Sequence, residues 1–258
     1  MKLTYVPVKI ARSITLLVTS PVESSLRAQT AGWLLRRAQE AEAVVFVEWD
    51  GDVPRLETAG GELSVDGAMA LTAWLALDNG VPMGETWDFP LALNGGALSL
   101  PCAVTPVNTC CVVTVTMPRA EVTDFSPSDG LTLPLVRYPG IAYLIAPTGA
   151  VQRTAAADLL RQWSRQLSAP AVSLLFWNEG ARSFDPLSWS KATGSAVWRR
   201  SCAGGAAAVG DWLRGKAGQS VSLNQPGGAM AVTLGEAGAV TVTAAAEVGS
   251  GRTADLVF

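Results

Sequence analysis

Two distant stretches of this chain are versions of one another. Ser64-Val65-Asp66-Gly67-Ala68-Met69-Ala70-Leu71-Thr72-Ala73-Trp74-Leu75 aligns without a gap against Cys202-Ala203-Gly204-Gly205-Ala206-Ala207-Ala208-Val209-Gly210-Asp211-Trp212-Leu213, and five of the twelve positions are identical. Each copy reads as a turn of small residues running into a helix that ends in Trp-Leu. A chain that repeats itself in this way is expected to fold as two similar halves. The first aligned position pairs a hydroxyl with a thiol. If the halves face each other, Ser64 and Cys202 sit at two helix N-termini that open on one cleft, a geometry for moving a proton across a carbon atom.

The repeat extends on both sides of the motif. Ser13-Ile14-Thr15-Leu16-Leu17-Val18 is an apolar β run, and Ile141-Ala142-Tyr143-Leu144-Ile145 is its counterpart. A helical pattern follows each: Leu26, Ala31, Leu34, Leu35 and Ala38 within 23–42, and Ala157, Leu160, Trp163 and Leu167 within 154–167. Then Ala43-Val44-Val45-Phe46-Val47-Glu48-Trp49 is matched by Ala171-Val172-Ser173-Leu174-Leu175-Phe176-Trp177. Beyond the motif helix each half places a Gly-Gly turn within a strand pair, at Asn94-Gly95-Gly96 and Pro226-Gly227-Gly228. Each closes on a Val/Thr strand, Val113–Thr116 and Val240–Thr243, with the alternation of a half-buried β-strand. The turn-forming residues of 123–130 read as a linker. The expected architecture is therefore α+β, with an N-terminal domain over 1–124 carrying Ser64 and a C-terminal domain over 125–258 carrying Cys202. Neither half shows regular βαβ alternation with a phosphate-binding glycine fingerprint, which disfavours a nucleotide fold.

Composition narrows the chemistry. The 258 residues contain no histidine, which removes Ser-His-Asp and Cys-His nucleophiles, imidazole bases and histidine metal ligands. Four cysteines form no CxxC pair, so no metal site is expected. Cys102, Cys110 and Cys111 read as small apolar residues in strands. A net charge of −3 gives no reason to expect nucleic acid as a partner. No apolar run approaches the ~20 residues a membrane span needs, and Lys9 and Arg12 interrupt any signal-peptide pattern, so no membrane partner and a cytoplasmic location are expected.

Exposed amides and partial positive charge at a helix N-terminus attract an anion and favour a thiolate. Cys202 is followed by Ala203, Gly204, Gly205 and Ala206, whose small side chains let the backbone approach a ligand. Arg199 and Arg200 just before it add to the expectation of a thiolate. The competing reading is that Gly204-Gly205 serves tight packing and Cys202 is a buried apolar residue. Glu62 and Asp66 are candidates to orient a substrate amine, although Glu62 also suits a helix cap or a solvated position. Trp74 and Trp212, at equivalent helix ends, read as core or interface residues rather than ligand-stacking ones.

These motifs in this order resemble the diaminopimelate epimerase superfamily, and within it the histidine racemases of opine-type metallophore biosynthesis. The likeness rests on Thr15–Val18, Glu42–Glu48, Met117-Pro118, Trp198-Arg199-Arg200-Ser201-Cys202 and Asn224-Gln225-Pro226-Gly227-Gly228, and spans nearly the whole chain. It implies two pseudo-symmetric domains, each a curved, mostly antiparallel sheet wrapped around a central helix. It further implies a racemase or epimerase that needs no cofactor and acts on an amino-acid-like small molecule. Cys202 and Ser64 would be the two catalytic groups. Ser13, Glu62, Asp66, Gly67, Arg199, Arg200 and the 203–206 turn would bind substrate. A dimer, or pairing with a paralogue, is in keeping with the resemblance.

The chain departs from the family pattern at several of these positions. The family's first motif offers a cysteine followed by Gly-Asn, where this chain has Ser64, Val65 and Asp66. Ser13 stands where the family has asparagine. Ala203-Gly204-Gly205-Ala206 lacks the hydroxyl that follows the family's second cysteine, and Arg199 replaces an acidic residue. Two rival readings follow: a catalytically impaired relative acting as a binding or partner subunit, and a related lyase or dehydratase.

Overall fold

The computed structural model describes every residue except 1, 52, 97, 128, 129, 214–218, 236, 237, 257 and 258. In chain order, the first half runs β1 (Lys2–Ile10), β2 (Ser13–Val18), α1 (Ser24–Arg37), β3 (Ala41–Asp50), β4 (Val53–Glu57), α2 (Val65–Asp78), β5 (Trp87–Asp88), β6 (Leu91–Leu93), β7 (Leu98–Leu100), β8 (Cys102–Val107), β9 (Cys110–Thr116) and β10 (Glu121–Phe125). The second half runs β11 (Leu133–Tyr138), β12 (Ile141–Pro147), α3 (Ala156–Leu167), β13 (Ala171–Asn178), β14 (Ser183–Ser190), β15 (Ser195–Trp198), α4 (Ala203–Leu213), β16 (Ser220–Gln225), β17 (Gly228–Leu234), β18 (Val240–Val248) and β19 (Arg252–Asp255).

The repeat seen in sequence is a repeat of topology. β2 and β3 pair in parallel around the crossover α1, and β12 and β13 pair in parallel around α3. Each parallel pair is followed by an antiparallel partner, β4 or β14. The matched Val/Thr strands pair with each other: β9 lies antiparallel to β18, Thr116 faces Thr241, Val115 faces Val242 and Thr114 faces Thr243. That register is symmetric about the Val115–Val242 pair, as a local twofold axis requires.

The four helices among the described residues divide into two kinds. α3 is amphipathic and buries Ala156, Leu160, Trp163 and Leu167 at helical spacing against β13 and β14. α1 buries Ala31 and Leu34 beside Leu16, Val44 and Phe46. By contrast, α2 is buried from Val65 to Ala73 and α4 from Ala203 to Asp211, without a solvated face. A helix apolar all round belongs inside, and these two touch each other in one shared core under the curved sheet. Small residues make the close packing possible. A Cβ at Gly210 would lie 2.6 Å from Val232 Cγ1.

The 123–130 segment is not simply a linker. Its residues 123–125 belong to β10, paired to β11, because Val122 and Phe125 find partly buried places against the neighbouring clusters. Residues 128 and 129 lie outside the described residues. α1 stops at Arg37, short of the helical pattern read to residue 42, since Ala41 and Glu42 already belong to β3. Cys102 and Cys111 are buried in β8 and β9, and Cys110 is half-buried in β9. Trp74 and Trp212 pack partly buried against the shared core. Among the described residues no helix is long and apolar enough to cross a membrane.

Candidate active site

The two turns are built alike at the level of single hydrogen bonds. Ser64 is the extended N-cap of α2, and its Oγ accepts from the Gly67 N–H at 3.1 Å. Cys202 precedes α4, and its Sγ accepts from the Gly205 N–H at 3.3 Å. The first helical bonds also correspond, Ala68 N–H to Ser64 O at 2.9 Å and Ala206 N–H to Cys202 O at 3.0 Å. In both copies the third residue after the cap is glycine, and a side chain there would crowd its neighbours. A Cβ at Gly67 would meet Ser64 Oγ and Val45 Cγ1 at 2.8 Å, and one at Gly205 would meet Leu175 Cδ2 at 3.0 Å and Phe184 Cε2 at 3.1 Å.

Ser64 and Cys202 line one cavity of about 110 Å3 between the halves. Glu62, Asp66 and Arg199 also line it, with Glu42, Thr58, Tyr143, Ser173 and Ser188. Asp66, read as a candidate to orient a substrate amine, is on the cavity wall and already has partners. Its carboxylate crosses to the other half, where both oxygens lie 3.2 Å from the Ala203 N–H and Oδ2 lies 3.5 Å from Arg199 Nη2. Arg199 reaches Cys202 Sγ at 4.0 Å and Ser13 Oγ at 3.5 Å. Its Nε is buried and has no hydrogen-bond partner.

Three residues not read from the sequence as site residues complete the arrangement. The Cys202 N–H donates to Gln225 Oε1 at 2.6 Å. Glu42 accepts from Ser13 Oγ at 2.6 Å and from the Arg200 N–H at 2.8 Å, which ties the start of β3 to the second turn. Tyr143 is wholly interior, and a Cβ at Gly204 would lie 2.1 Å from its hydroxyl. The phenol fills the volume that glycine leaves empty, on the side of α4 where the turn itself carries no hydroxyl. Gln225 and Glu42 stood in recognisable motifs without a role, and Tyr143 was hidden among the apolar residues of its strand.

The remaining expected residues fall near this set without all meeting in it. Gly67 and residues 203–206 are buried in the two helix starts. Ser13 stands behind Arg199 in contact with Glu42. Arg200 turns outward, half exposed, with Nη1 on Arg12 O and Nε 3.5 Å from Glu42. Glu62 is not the cap of α2, which is Ser64: it lies partly buried on the cavity wall, and Thr58 Oγ1 donates to it at 3.3 Å. Burial raises its carboxyl above the usual range, against the lowering effect of backbone and Thr58 hydrogen bonds.

The expected thiolate is not the resting form. Burial pushes the Cys202 thiol up to about 11. Arg199 opposes that shift, Asp66 adds to it, and the Gly205 N–H and Tyr143 hydroxyl oppose it more weakly. Loss of water is the largest influence and outweighs the cation and the helix-end amide, which act in the opposite direction. Among the described residues there is no group of three or more Cys, Asp or Glu that would hold a metal ion.

Residues 2–247 match the family described as "Histidine racemase CntK N-terminal domain". The fold is shared by solved structures of low identity. A hydroxyproline epimerase from Agrobacterium vitis, with bound trans-4-OH-L-proline, has a TM-score of 0.68 at 13% identity over 99% of this chain and 93% of that one. A structure titled "Predicted Epimerase" from Pseudomonas aeruginosa has a TM-score of 0.65 at 17% identity, covering both chains in full. A phenazine biosynthesis protein of the PhzF family from Bacillus anthracis has a TM-score of 0.64 at 12% identity over 99% and 100% of the two chains. No curated protein matches the chain by sequence.

Proposed function

The chain belongs to the histidine racemase CntK N-terminal domain family, and from that premise we propose that it is an amino-acid racemase or epimerase that works without a cofactor. We propose with it the division into domains 1–124 and 125–258. The observation that carries the reading is the equivalence of Ser64 and Cys202: the same place in two copies of one turn, on the wall of one cavity.

An α-carboxylate is drawn to the N-terminus of α2, which places Cα between the two groups. For one enantiomer, Cys202 first gives its resting proton to solvent, then takes the α-proton as thiolate and returns to the thiol. The electron pair left on carbon delocalises into the carboxylate. A proton then returns to the opposite face from Ser64, directly or through a water it holds, and solvent restores Ser64. For the other enantiomer, the resting thiol of Cys202 is the proton donor. Ser64 is the weaker partner as a base, since its alkoxide is scarcely populated near neutral pH. Closure around the cavity excludes water and strengthens each of these interactions.

The test is exchange of the α-proton for deuterium across the standard amino acids, with pyridoxal phosphate and metals removed. At least one amino acid is expected to exchange, and Cys202→Ala to abolish it. Exchange unaffected by Cys202→Ala would contradict the assignment.

A second reading is favoured by a specific observation: Cys202 rests protonated, Ser64 is a poor base, and Asp66 already fills the first amide of α4. In that reading the chain binds an amino-acid-like ligand, or an active paralogue, without turning a substrate over.

A further inference from the structure

The start of α4 is an anion site by its physics, and an anion is already there. The Ala203 N–H is shared between both oxygens of Asp66 at 3.2 Å, and the Arg199 guanidinium lies against the same carboxylate. The carboxylate comes from α2, in the other half of the molecule, and the side chains of Asp66 and Arg199 are only 3% and 10% exposed. The pairing is incomplete. Arg199 meets Asp66 through Nη2 at 3.5 Å, and the buried Nε has no partner. A guanidinium offers a fork of parallel N–H groups that matches a carboxylate in two bonds, and Asp66 does not satisfy that fork.

We propose that Asp66 is an internal occupant of the anion site formed by the Ala203 N–H and Arg199, and that a ligand carboxylate binds there only by displacing it. The proposal rests on the reading of the cleft as a site for carboxylate ligands. It makes Asp66 a specificity-determining residue. With Asp66 in place, a carboxylate is held at the α2 end of the cleft and resisted at the α4 end. When a ligand carboxylate takes the α4 end, it completes the fork of Arg199 and releases a contact that ties the two halves together. Ligand entry and separation of the halves are then linked.

The experiment is rescue of the missing carboxylate by acetate, read as thermal stability at matched ionic strength in acetate and in chloride. Asp66→Ala takes from buried Arg199 the carboxylate it is ion-paired with, leaving its contacts to Ser13 and Cys202, and is expected to melt well below wild type. Acetate, but not chloride, is expected to raise its melting temperature by about 5 °C or more as the site fills. Wild type should show no acetate-specific rise. Asp66→Ser, which keeps a small polar group, is the second variant and should respond in the same way. Folding of either variant only in acetate would also support the proposal. An equal acetate effect on wild type, no acetate-specific effect on either variant, or failure of both to fold even in acetate would overturn it. None of these readouts involves turnover, so failure here and failure of α-proton exchange are separate results.

Discussion

The turn at Ser64 and the turn at Cys202 make the same capping bond with different atoms, and they stand in different electrical surroundings. Ser64 Oγ meets the Gly67 amide and, among the described residues, no ionised side chain within hydrogen-bonding distance. Cys202 Sγ meets the Gly205 amide with Arg199 at 4.0 Å. Aligned on the caps, Asp66 takes the place of Gly204, Glu62 that of Arg200, and Gly61 that of Arg199. The fold is duplicated where packing demands it, at the caps and at Gly67 and Gly205. The charges are not. Asp66 spends its carboxylate on the opposite helix, and its counterpart Gly204 leaves a hole that Tyr143 fills. A pseudo-symmetric frame therefore carries two chemically unequal ends.

The largest expected effect comes from breaking the charge asymmetry. Arg199→Gln strands the Asp66 carboxylate in the interior and is expected to cost about 3–5 kcal/mol in a denaturation experiment. Adding Asp66→Asn should return most of that loss. Additive destabilisation by the two changes would mean that the pair is not the coupled unit described here.

Next is the hole opposite Asp66. Gly204→Ala drives a methyl group into the Tyr143 hydroxyl and should cost about 1–3 kcal/mol. Tyr143→Phe removes that oxygen, so the double variant should be more stable than the sum of the single effects predicts. A strictly additive pair in the same denaturation experiment would place the clash elsewhere.

The thiol gives the second turn a pH signature that the Ser64 hydroxyl does not give the first. Its folded value of about 11 lies above the ordinary 9.0, so the folded state holds this proton more tightly than the unfolded state. That contribution to stability is full below pH 9 and is lost as pH rises from there through about 11. Stability measured against pH should fall less steeply across that window in Cys202→Ala than in wild type. Identical slopes would show that the thiol is not held neutral by burial.

The smallest effect concerns the caps themselves. Ser64→Ala should cost about 1 kcal/mol, the ordinary value of an N-cap hydroxyl. Ser64→Cys should cost less, because sulfur already performs this duty at α4. An equal cost for both would mean that the sulfur of Cys202 contributes nothing as a cap.

Much of this was legible in the sequence, for reasons of distance along the chain. The matched β runs, the amphipathic α3 and both capping turns are local patterns, and Ser13–Val18 is β2 from end to end. What was hidden depends on residues far apart in sequence. Asp66 lies beside Ser64 in the chain, and only the facing of the halves gives it Ala203 and Arg199. The thiol's resting state is set by desolvation, which has no signature in a run of residues. Nearby arginines therefore pointed to a thiolate that burial prevents. Tyr143 occupies an apolar strand position, and its role appears only when the missing Cβ of Gly204 is placed next to it.

The central claim is that Ser64 and Cys202 are the two ends of one proton path. The most direct test is α-deuterium incorporation by Ser64→Cys beside wild type, with the amino acids presented in heavy water. A thiol at position 64 matches the proton transfer better than a hydroxyl near neutral pH. The account predicts exchange that is kept or raised by Ser64→Cys and lost again when Cys202→Ala is added. No exchange of any amino acid by wild type or by Ser64→Cys would contradict it and leave ligand binding without turnover as the function of the cleft.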